Sequence, residues 1–302
     1  MTPSHSGRAT GERSPEGTDR PNADRVVPRR LGISFWVAIG WILLVSAAAL
    51  VAPWLPIVDP EETGIGGRLE GPSWDNWFGT DPNGRDMFSR TIWGARISLM
   101  VGFFSIVVGF LIGGTVGVVG GYLRGRTDLV LGFGVYVMFC FPGLFLALLV
   151  LGVLGHGLWI VTLVLSLAVW PSVSRLARAV TMAFAEREFV AAARLLGATN
   201  RRVMVREILP NVLIPMSALL LLGLGLTIVG EGALAYLGLS VADGFSWGKM
   251  IQIGASPRTL RAAPWVAFSP IGAMFLTVLS LNWAGDRLRQ HFDVREMGIG
   301  SR

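Results

Sequence analysis

Charged residues and reactive side chains are scarce in this chain. Only 15% of its 302 residues are Asp, Glu, Lys or Arg, whereas 52% are hydrophobic and the mean hydropathy is +0.57. A typical soluble domain carries about 25% charged residues, so the composition indicates an integral membrane protein. Cys140 is the one cysteine, which excludes an intrachain disulfide.

Motifs for catalysis, metal binding and nucleotide binding are missing as well. The nearest approach to a Walker A loop, Gly244–Lys249, has one residue too few between its glycines and no Ser or Thr after the lysine. The three histidines, His5, His156 and His291, have no further ligands at metal-binding spacing. We therefore expect no catalytic residue, no metal and no cofactor in this chain.

The charge that is present is mostly positive. Lys and Arg number 26 against 20 Asp and Glu, and the pI is about 10.6. This balance is compatible with nucleic acid binding and also with basic loops next to a membrane. We favour the loops and expect no nucleic acid partner, because apolar segments flank the basic stretches closely.

Long apolar runs divide the chain. Residues 1–30 are rich in Gly, Pro, Ser, Thr and Arg and predict a disordered tail. Residues 31–53 contain an apolar run that can cross the hydrocarbon core and is too long for the apolar part of a signal peptide, which favours an uncleaved anchor. Five more spans are predicted at Ile97–Gly120, Leu129–Leu154, Leu158–Val173, Val212–Gly230 and Val266–Trp283. We expect a break at Phe141-Pro142 in the third span.

The predicted fold is therefore all-α, with one N-terminal transmembrane helix followed by a five-helix core. The chain then divides into an outer segment at 54–96, a core at 97–286 that includes a loop at 174–211, and a tail at 287–302. Of the 26 basic residues, 19 fall on the side of this loop and of both termini. Because basic loops face the cytoplasm, we expect both termini and the 174–211 loop there.

The 174–211 loop carries the most informative pattern. Its apolar residues recur at the three- and four-residue spacing of one helical face: Phe189, Ala192, Ala193 and Leu196. Gly197 follows where a left-handed helix cap needs a residue without Cβ. A second helix can begin with Thr199 or Asn200 as its N-cap, and we expect it to stop by Pro210. The pattern predicts a compact helical knob, outside the bilayer, that fits a cleft in a soluble partner.

This loop resembles the EAA loop of the membrane subunits of bacterial ABC importers. The match rests on Ala192-Ala193, Gly197 and Leu209-Pro210, whereas Ala191 stands in place of the motif glutamate. Glu188 lies on nearly the same helical face and is a candidate substitute. Other matches extend the resemblance over residues 78–293, to the second permease of dipeptide, oligopeptide and nickel importers: Gly79–Asp86, Phe141-Pro142, Tyr236–Leu239, Ser246–Gly248, Ala263–Trp265 and Leu281-Asn282.

The resemblance implies a permease in the bacterial plasma membrane, in contact with membrane lipid. A homologous second permease would complete the translocation pathway, one or two ATP-binding subunits would hold ATP and Mg, and an extracytoplasmic binding protein would deliver di- or oligopeptides. Nickel, glutathione or another small solute is the alternative cargo. The resemblance also implies that the loop couples to the ATPase through these residues: Glu188, Phe189, Ala192, Ala193, Arg194, Leu195, Leu196, Gly197 and Ala198.

Candidate pathway residues are Phe141, Pro142 and Glu231. Glu231 is compatible with a pathway role toward an ammonium group, and equally with an interface carboxylate exposed to water or paired with a neighbour. The six predicted spans contain no Asp, Glu, Lys, Arg or His, which disfavours an ion-coupled secondary transporter. A membrane enzyme or a structural scaffold is a further rival, distinguished by the absence of a co-purifying ATPase.

Two other patterns concern packing. Glycines recur at close-packing spacing along the second span, and we favour helix contact over a hinge as their role: Gly109, Gly113, Gly114, Gly117, Gly120 and Gly121. The outer segment carries Trp54, Trp74 and Trp77, which predict an interfacial belt or, alternatively, a docking surface for another protein.

Overall fold

The computed structural model describes residues 32–242 and 244–299, so the predicted tail at 1–30 lies outside the described residues. In the described part of the chain every regular element is helical, and the all-α prediction is confirmed. The α-helices are α1 (Ile33–Val51), α2 (Met87–Leu123), α3 (Gly125–Cys140), α4 (Gly143–Leu154), α5 (Leu158–Ala185), α6 (Glu188–Leu195), α7 (Asn200–Arg202), α8 (Leu209–Tyr236), α9 (Trp247–Gly254), α10 (Pro257–Ala262) and α11 (Trp265–Ile299). A 3-10 turn (Ala52–Trp54) follows α1, and a π-helix (Val203–Ile208) joins α7 to α8.

Five helical segments of the described chain are long and apolar enough to cross a membrane; they lie at α1, α2, α5, α8 and α11. The pair α3 and α4, which is bent by 84°, is a sixth span if the two helices count as one. Phe141 and Pro142 form the bend with a non-helical backbone, with ψ of 117° and 126°. Proline disfavours the helical conformation in the residue before it and removes a backbone donor. The predicted break in the third span is therefore confirmed, and the structure has five or six spans, six if the bent pair α3 and α4 is one span.

Several helices are longer than the predicted spans. α2 begins at Met87 instead of Ile97, α5 continues past Val173 to Ala185, and α11 continues past Trp283 into the predicted 287–302 tail. Hydropathy detects only the part of a helix that lies in hydrocarbon, whereas capping and packing extend helices into water. At the start of α2, the buried Asp86 carboxylate accepts a hydrogen bond from Ser89 N at 2.7 Å, and burial raises the pKa of this carboxyl.

Helices α2 and α5 touch backbone to backbone. The glycines that carry this contact lie four residues apart on α2: Gly109, Gly113, Gly117 and Gly121. A Cβ atom added at Gly113 would lie 2.3 Å from Trp170 O, and one at Gly117 would lie 2.4 Å from Ser174 O. Small residues at this spacing allow two membrane helices to approach closely, so these four glycines serve packing as expected. Gly120 instead faces Asp128 of α3, and Gly114 has no described atom within 4 Å of an added Cβ, so packing does not account for Gly114.

The outer segment is held by polar contacts rather than by a hydrophobic core. Thr80 is fully buried; its hydroxyl donates to Gly67 O at 2.6 Å and accepts from Glu70 N at 2.9 Å. The Trp265 indole at the start of α11 donates to Thr80 O at 3.2 Å. These bonds fix the segment on the ends of the spans. Trp54, Trp74 and Trp77 are 79%, 95% and 61% exposed.

Candidate coupling site and buried carboxylate

The helix α6 lies against the ends of the longer helices. Val190 is 1% exposed and belongs to a buried cluster with Tyr122 of α2, Ala177 of α5 and Ile208 of the π-helix. Val190 is therefore the apolar anchor that holds α6 on the rest of the chain. Helical spacing alone does not predict this role of Val190, because it does not show which face of a short helix meets its own chain.

A glycine turn ends α6 as the sequence predicts. Gly197 has φ of +82°, its N–H donates to Arg194 O at 3.0 Å, and Ala198 N donates to Ala193 O at 3.0 Å. This pair of bonds is the Schellman motif, which requires a left-handed residue at the position of Gly197. A Cβ atom there would have no described atom within 4 Å, so the need for glycine is conformational and not steric.

The outward side of α6 presents apolar side chains to solvent. Leu195 and Leu196 are 89% and 88% exposed, and Phe189 is 37% exposed. Glu188 and Ala192 are exposed beside them. We call these five residues the coupling surface. A contiguous apolar patch of this kind, rimmed by polar groups, is typical of a site for another protein.

The other predicted coupling residues lie closer to the rest of the chain. Ala193 and Ala198 are partly buried in the cluster around Val190. Arg194 is exposed, and its guanidinium lies 5.1 Å from the centre of the Tyr122 ring. Contact of these three residues with an ATPase subunit stays a prediction.

The second helix begins as predicted but does not stop at Pro210. Thr199 is its N-cap, since the Thr199 hydroxyl accepts from Arg202 N at 3.4 Å. The helical segment then runs through the π-helix into α8, where Leu209 N donates to Met204 O and Pro210 takes the second position of α8. Proline is tolerated in the first turn of an α-helix. The change from π-helical to α-helical hydrogen bonding at Leu209 places Pro210 in such a first turn.

This continuity links the coupling surface to the far side of the membrane. Residues Asn200–Tyr236 form one helical segment of 37 residues, which is about 55 Å long. At its start the Tyr122 hydroxyl donates to Asn200 Oδ1 at 3.2 Å. Through Val190, α6 packs on Val203 and Ile208 near the start of this membrane-crossing segment.

Near the other end of α8 lies a fully buried carboxylate, Glu231, which is 0% exposed. The Ser98 hydroxyl of α2 donates to Glu231 Oε2 at 3.2 Å and accepts from Trp247 N of α9 at 3.1 Å. Glu231 Oε1 and the buried Ser240 hydroxyl have no hydrogen-bond partner among the described residues. Glu231 thus joins α2, α8 and α9 through polar contacts.

Two expectations about Glu231 are corrected by its burial. It is not exposed to water at the membrane interface, and in this conformation it does not reach the surface of the chain; its contact with Ser98 matches the paired alternative. It also lies inside a helix that spans the membrane, so the spans are not free of ionisable residues. Phe141 and Pro142, in contrast, lie on the exposed side of the bend between α3 and α4.

The chain is a polytopic helical bundle with a short, partly exposed helix next to the start of a spanning segment. Comparison with known sequences gives the family. Residues 109–295 match the family described as "Binding-protein-dependent transport system inner membrane component". The chain belongs to this family and is a permease subunit of an ABC importer, a class that works with ATPase and substrate-binding subunits.

Named relatives cover nearly the whole chain. The dipeptide transport system permease protein DppC of Alkalihalophilus pseudofirmus is 33% identical over 94% of this chain and 98% of its own. The glutathione transport system permease protein GsiD of Pectobacterium atrosepticum is 36% identical over 85% of this chain and 86% of its own. An inward-facing structure of the MetNI methionine ABC transporter shares the fold, with a TM-score of 0.54 and 20% identity over 68% of this chain and 97% of that chain.

Proposed function

We propose that this permease carries di- or oligopeptides, together with a homologous second permease that forms the other half of the pathway. One or two ATP-binding subunits hold ATP and Mg, and an extracytoplasmic binding protein delivers the cargo. The names of the relatives support peptides. Glutathione, which is named for another relative, is itself a small peptide and is the main alternative, followed by nickel or another small solute.

The observation that carries the proposal is the coupling surface. Leu195 and Leu196 are nearly fully exposed on a knob that Val190 and the Gly197 turn hold rigid. Leucine side chains in this setting lose contact with water only when a partner covers them. We assign that role to a groove in the ATPase subunit, with Glu188 as the polar contact beside the leucines.

The mechanism follows from the continuity of the helices. Closure of the ATPase subunits on ATP moves the grooves that hold α6, and the 37-residue segment that starts at Asn200 carries the motion through the membrane. The two permeases then open outward, and hydrolysis resets the inward-facing state. Each state is favoured by the contacts that it alone makes.

The bend at Phe141-Pro142 is proposed to line the pathway. Its exposed aromatic side chain and its non-helical backbone lie at membrane depth, where such backbone occurs next to a cavity or a partner protein. Glu231 is proposed not to line the pathway but to stabilise the packing of α9 against α2 and α8. The topology that accompanies the proposal places both termini and α6 in the cytoplasm.

The test is uptake by the purified complex in proteoliposomes. Leu195→Ser should abolish uptake of labelled di- and tripeptides and the ATP hydrolysis coupled to it. The reason is that serine loses the apolar contact that the leucine makes with the groove of the ATPase subunit. Leu260→Ser is the matched control, since Leu260 is 42% exposed on α10, on the opposite side of the membrane in the proposed topology. Equal peptide uptake by the two variants contradicts the proposal. Uptake of nickel and not of peptides makes nickel the cargo of the permease.

A further inference from the structure

One exposed arginine lies inside a membrane-spanning helix. Arg175 belongs to the α5 segment Leu158–Ala185, which is long and apolar enough to cross a membrane. It lies about 24 Å along α5 from Trp159, which is 62% exposed, as is typical of an aromatic residue at a membrane interface. A hydrocarbon core is about 30 Å thick, so Arg175 lies at membrane depth, toward the end of α5 that leads to α6.

The guanidinium of Arg175 is next to the bend between α3 and α4. It lies 5.0 Å from the centre of the Phe139 ring, just before Phe141 in the chain. The first residue of α4 is on the same side of α5, because a Cβ atom at Gly143 would lie 3.9 Å from the Cβ atom of Ala168. Ala168 is two helical turns before Arg175 on the same face. Arg175 therefore faces the bend that is proposed to line the pathway.

A cavity of about 340 Å³ lies beside Arg175, between α2, α3 and α5. The charged side chains that line it are Asp128, Arg175 and Arg178. The Arg178 guanidinium donates two hydrogen bonds to the Asp128 carboxylate, one of them at 2.6 Å, so these two charges compensate each other. Arg175 forms no ion pair with any of the described residues. The cavity therefore carries one uncompensated positive charge, and Tyr136 adds a hydroxyl group to its lining.

The face of α5 around Arg175 differs from a lipid-facing surface. Its other exposed residues are small or polar: Ala168, Ser172 and Ala179. The exposed side of α11, in contrast, carries large apolar side chains such as Phe268 and Phe275, which are both 62% exposed. A charged side chain at membrane depth normally faces a water-filled cavity or an ionic partner and marks the path of a substrate. The surroundings of Arg175 thus favour the pathway over hydrocarbon.

Given the proposed peptide cargo, we propose that Arg175 binds the C-terminal carboxylate of the peptide in this cavity during its passage. Every unmodified di- or oligopeptide has this carboxylate, whatever its side chains are. A guanidinium can hold a carboxylate through two parallel hydrogen bonds, and the cavity volume is in the range of small-molecule sites, about 300–1,000 Å³. An acidic residue of the second permease and a lipid phosphate are the competing partners for the same charge.

The test compares a peptide with a derivative that lacks only the carboxylate. Uptake by the assembled importer in proteoliposomes is measured with radiolabelled alanyl-alanine and with its C-terminal amide, both below saturation. The ratio of the two uptake rates is determined for each variant and divided by the ratio for the wild type. Because every variant receives its cargo from the same binding protein, the preference of that protein cancels in this comparison.

Arg175→Gln should lower the ratio of acid to amide uptake by roughly tenfold, the effect of losing one charge-assisted contact, whereas uptake of the amide should not change. Arg175→Lys keeps the positive charge and should keep most of the ratio. Arg126→Gln is the matched control, because Arg126 is an exposed arginine of α3 that does not line the cavity. Its ratio should equal that of the wild type.

An unchanged ratio in Arg175→Gln overturns the proposal. This includes an equal fall of both rates, which is expected if Arg175 contacts the second permease or a lipid phosphate instead. Should Arg175→Gln fail to assemble, Ala179→Asp decides, because its carboxylate lies one turn from Arg175, compensates the charge and should lower the ratio; a wild-type ratio overturns the proposal. Absence of peptide uptake by the wild type refutes the peptide cargo together with this proposal, whereas uptake with an unchanged ratio refutes this proposal alone.

Discussion

Replacing Gly117 by alanine tests whether α2 and α5 meet backbone to backbone. The added Cβ would lie 2.4 Å from Ser174 O, 2.6 Å from Ala177 Cβ and 2.8 Å from Arg178 N. The backbone atoms of α5 cannot move aside alone, so the two helices must move apart along their contact. Overpacking of this kind typically costs about 1–3 kcal/mol.

Gly114→Ala is the control for this change. It makes the same substitution in the same helix, but its Cβ meets no described atom within 4 Å. Alanine favours helix over glycine by about 1 kcal/mol in water, and this gain is shared by both variants. The difference between them therefore reports the packing cost alone.

The assay is thermal unfolding of the purified permease pair, followed by size-exclusion fluorescence after heating. Gly117→Ala should unfold at a clearly lower temperature than Gly114→Ala, and Gly113→Ala should behave like Gly117→Ala, because its Cβ would lie 2.3 Å from Trp170 O. If Gly117→Ala and Gly114→Ala unfold at the same temperature, the inference that α2 and α5 are in close contact at Gly117 is wrong.

Three further predictions follow from the other contacts. Glu231→Ala should destabilise the protein by about 1–3 kcal/mol more than Glu231→Gln in the same thermal assay, because only alanine leaves the buried Ser98 hydroxyl without its acceptor; equal midpoints contradict this. Gly197→Val should still insert but lose the coupling of ATP hydrolysis to uptake, since φ of +82° disfavours a β-branched residue; wild-type uptake refutes the role of the turn. Arg124→Ala removes an ion pair with Glu186 whose side chains are 46% and 71% exposed. No measurable change in the midpoint of thermal unfolding is therefore expected. A large change in that midpoint would show that Arg124 has a role beyond this ion pair.

Local sequence patterns were sufficient for the capping features of the coupling site. The left-handed turn at Gly197 and the N-cap at Thr199 depend on residues within a few positions of each other, and both agree with the structure. The inward face of α6 was missed because it depends on Tyr122 and Ile208, which other helices bring to Val190. Helical spacing defines a face but not its neighbour.

Hydropathy located the apolar spans but not the ends of the helices. The break at Phe141-Pro142 has a local cause in proline and was predictable. The run of α8 through Pro210 was not, because the π-helix that precedes it leaves no simple sequence pattern. The burial of Glu231 depends on Ser98 and Trp247, which lie far from it in sequence, so its depth could not be inferred from its position near the end of a span.

The central claim is that the coupling surface contacts an ATPase subunit, and site-specific cross-linking tests it directly. With the exposed Cys140 replaced by serine, Leu195→Cys and Leu260→Cys each place one thiol on an otherwise cysteine-free permease. In the assembled importer in native membranes, a short cross-linker should join Leu195→Cys to the ATP-binding subunit and leave Leu260→Cys unlinked to it. Absence of that product from Leu195→Cys, or its linkage to the extracytoplasmic binding protein, would contradict the account.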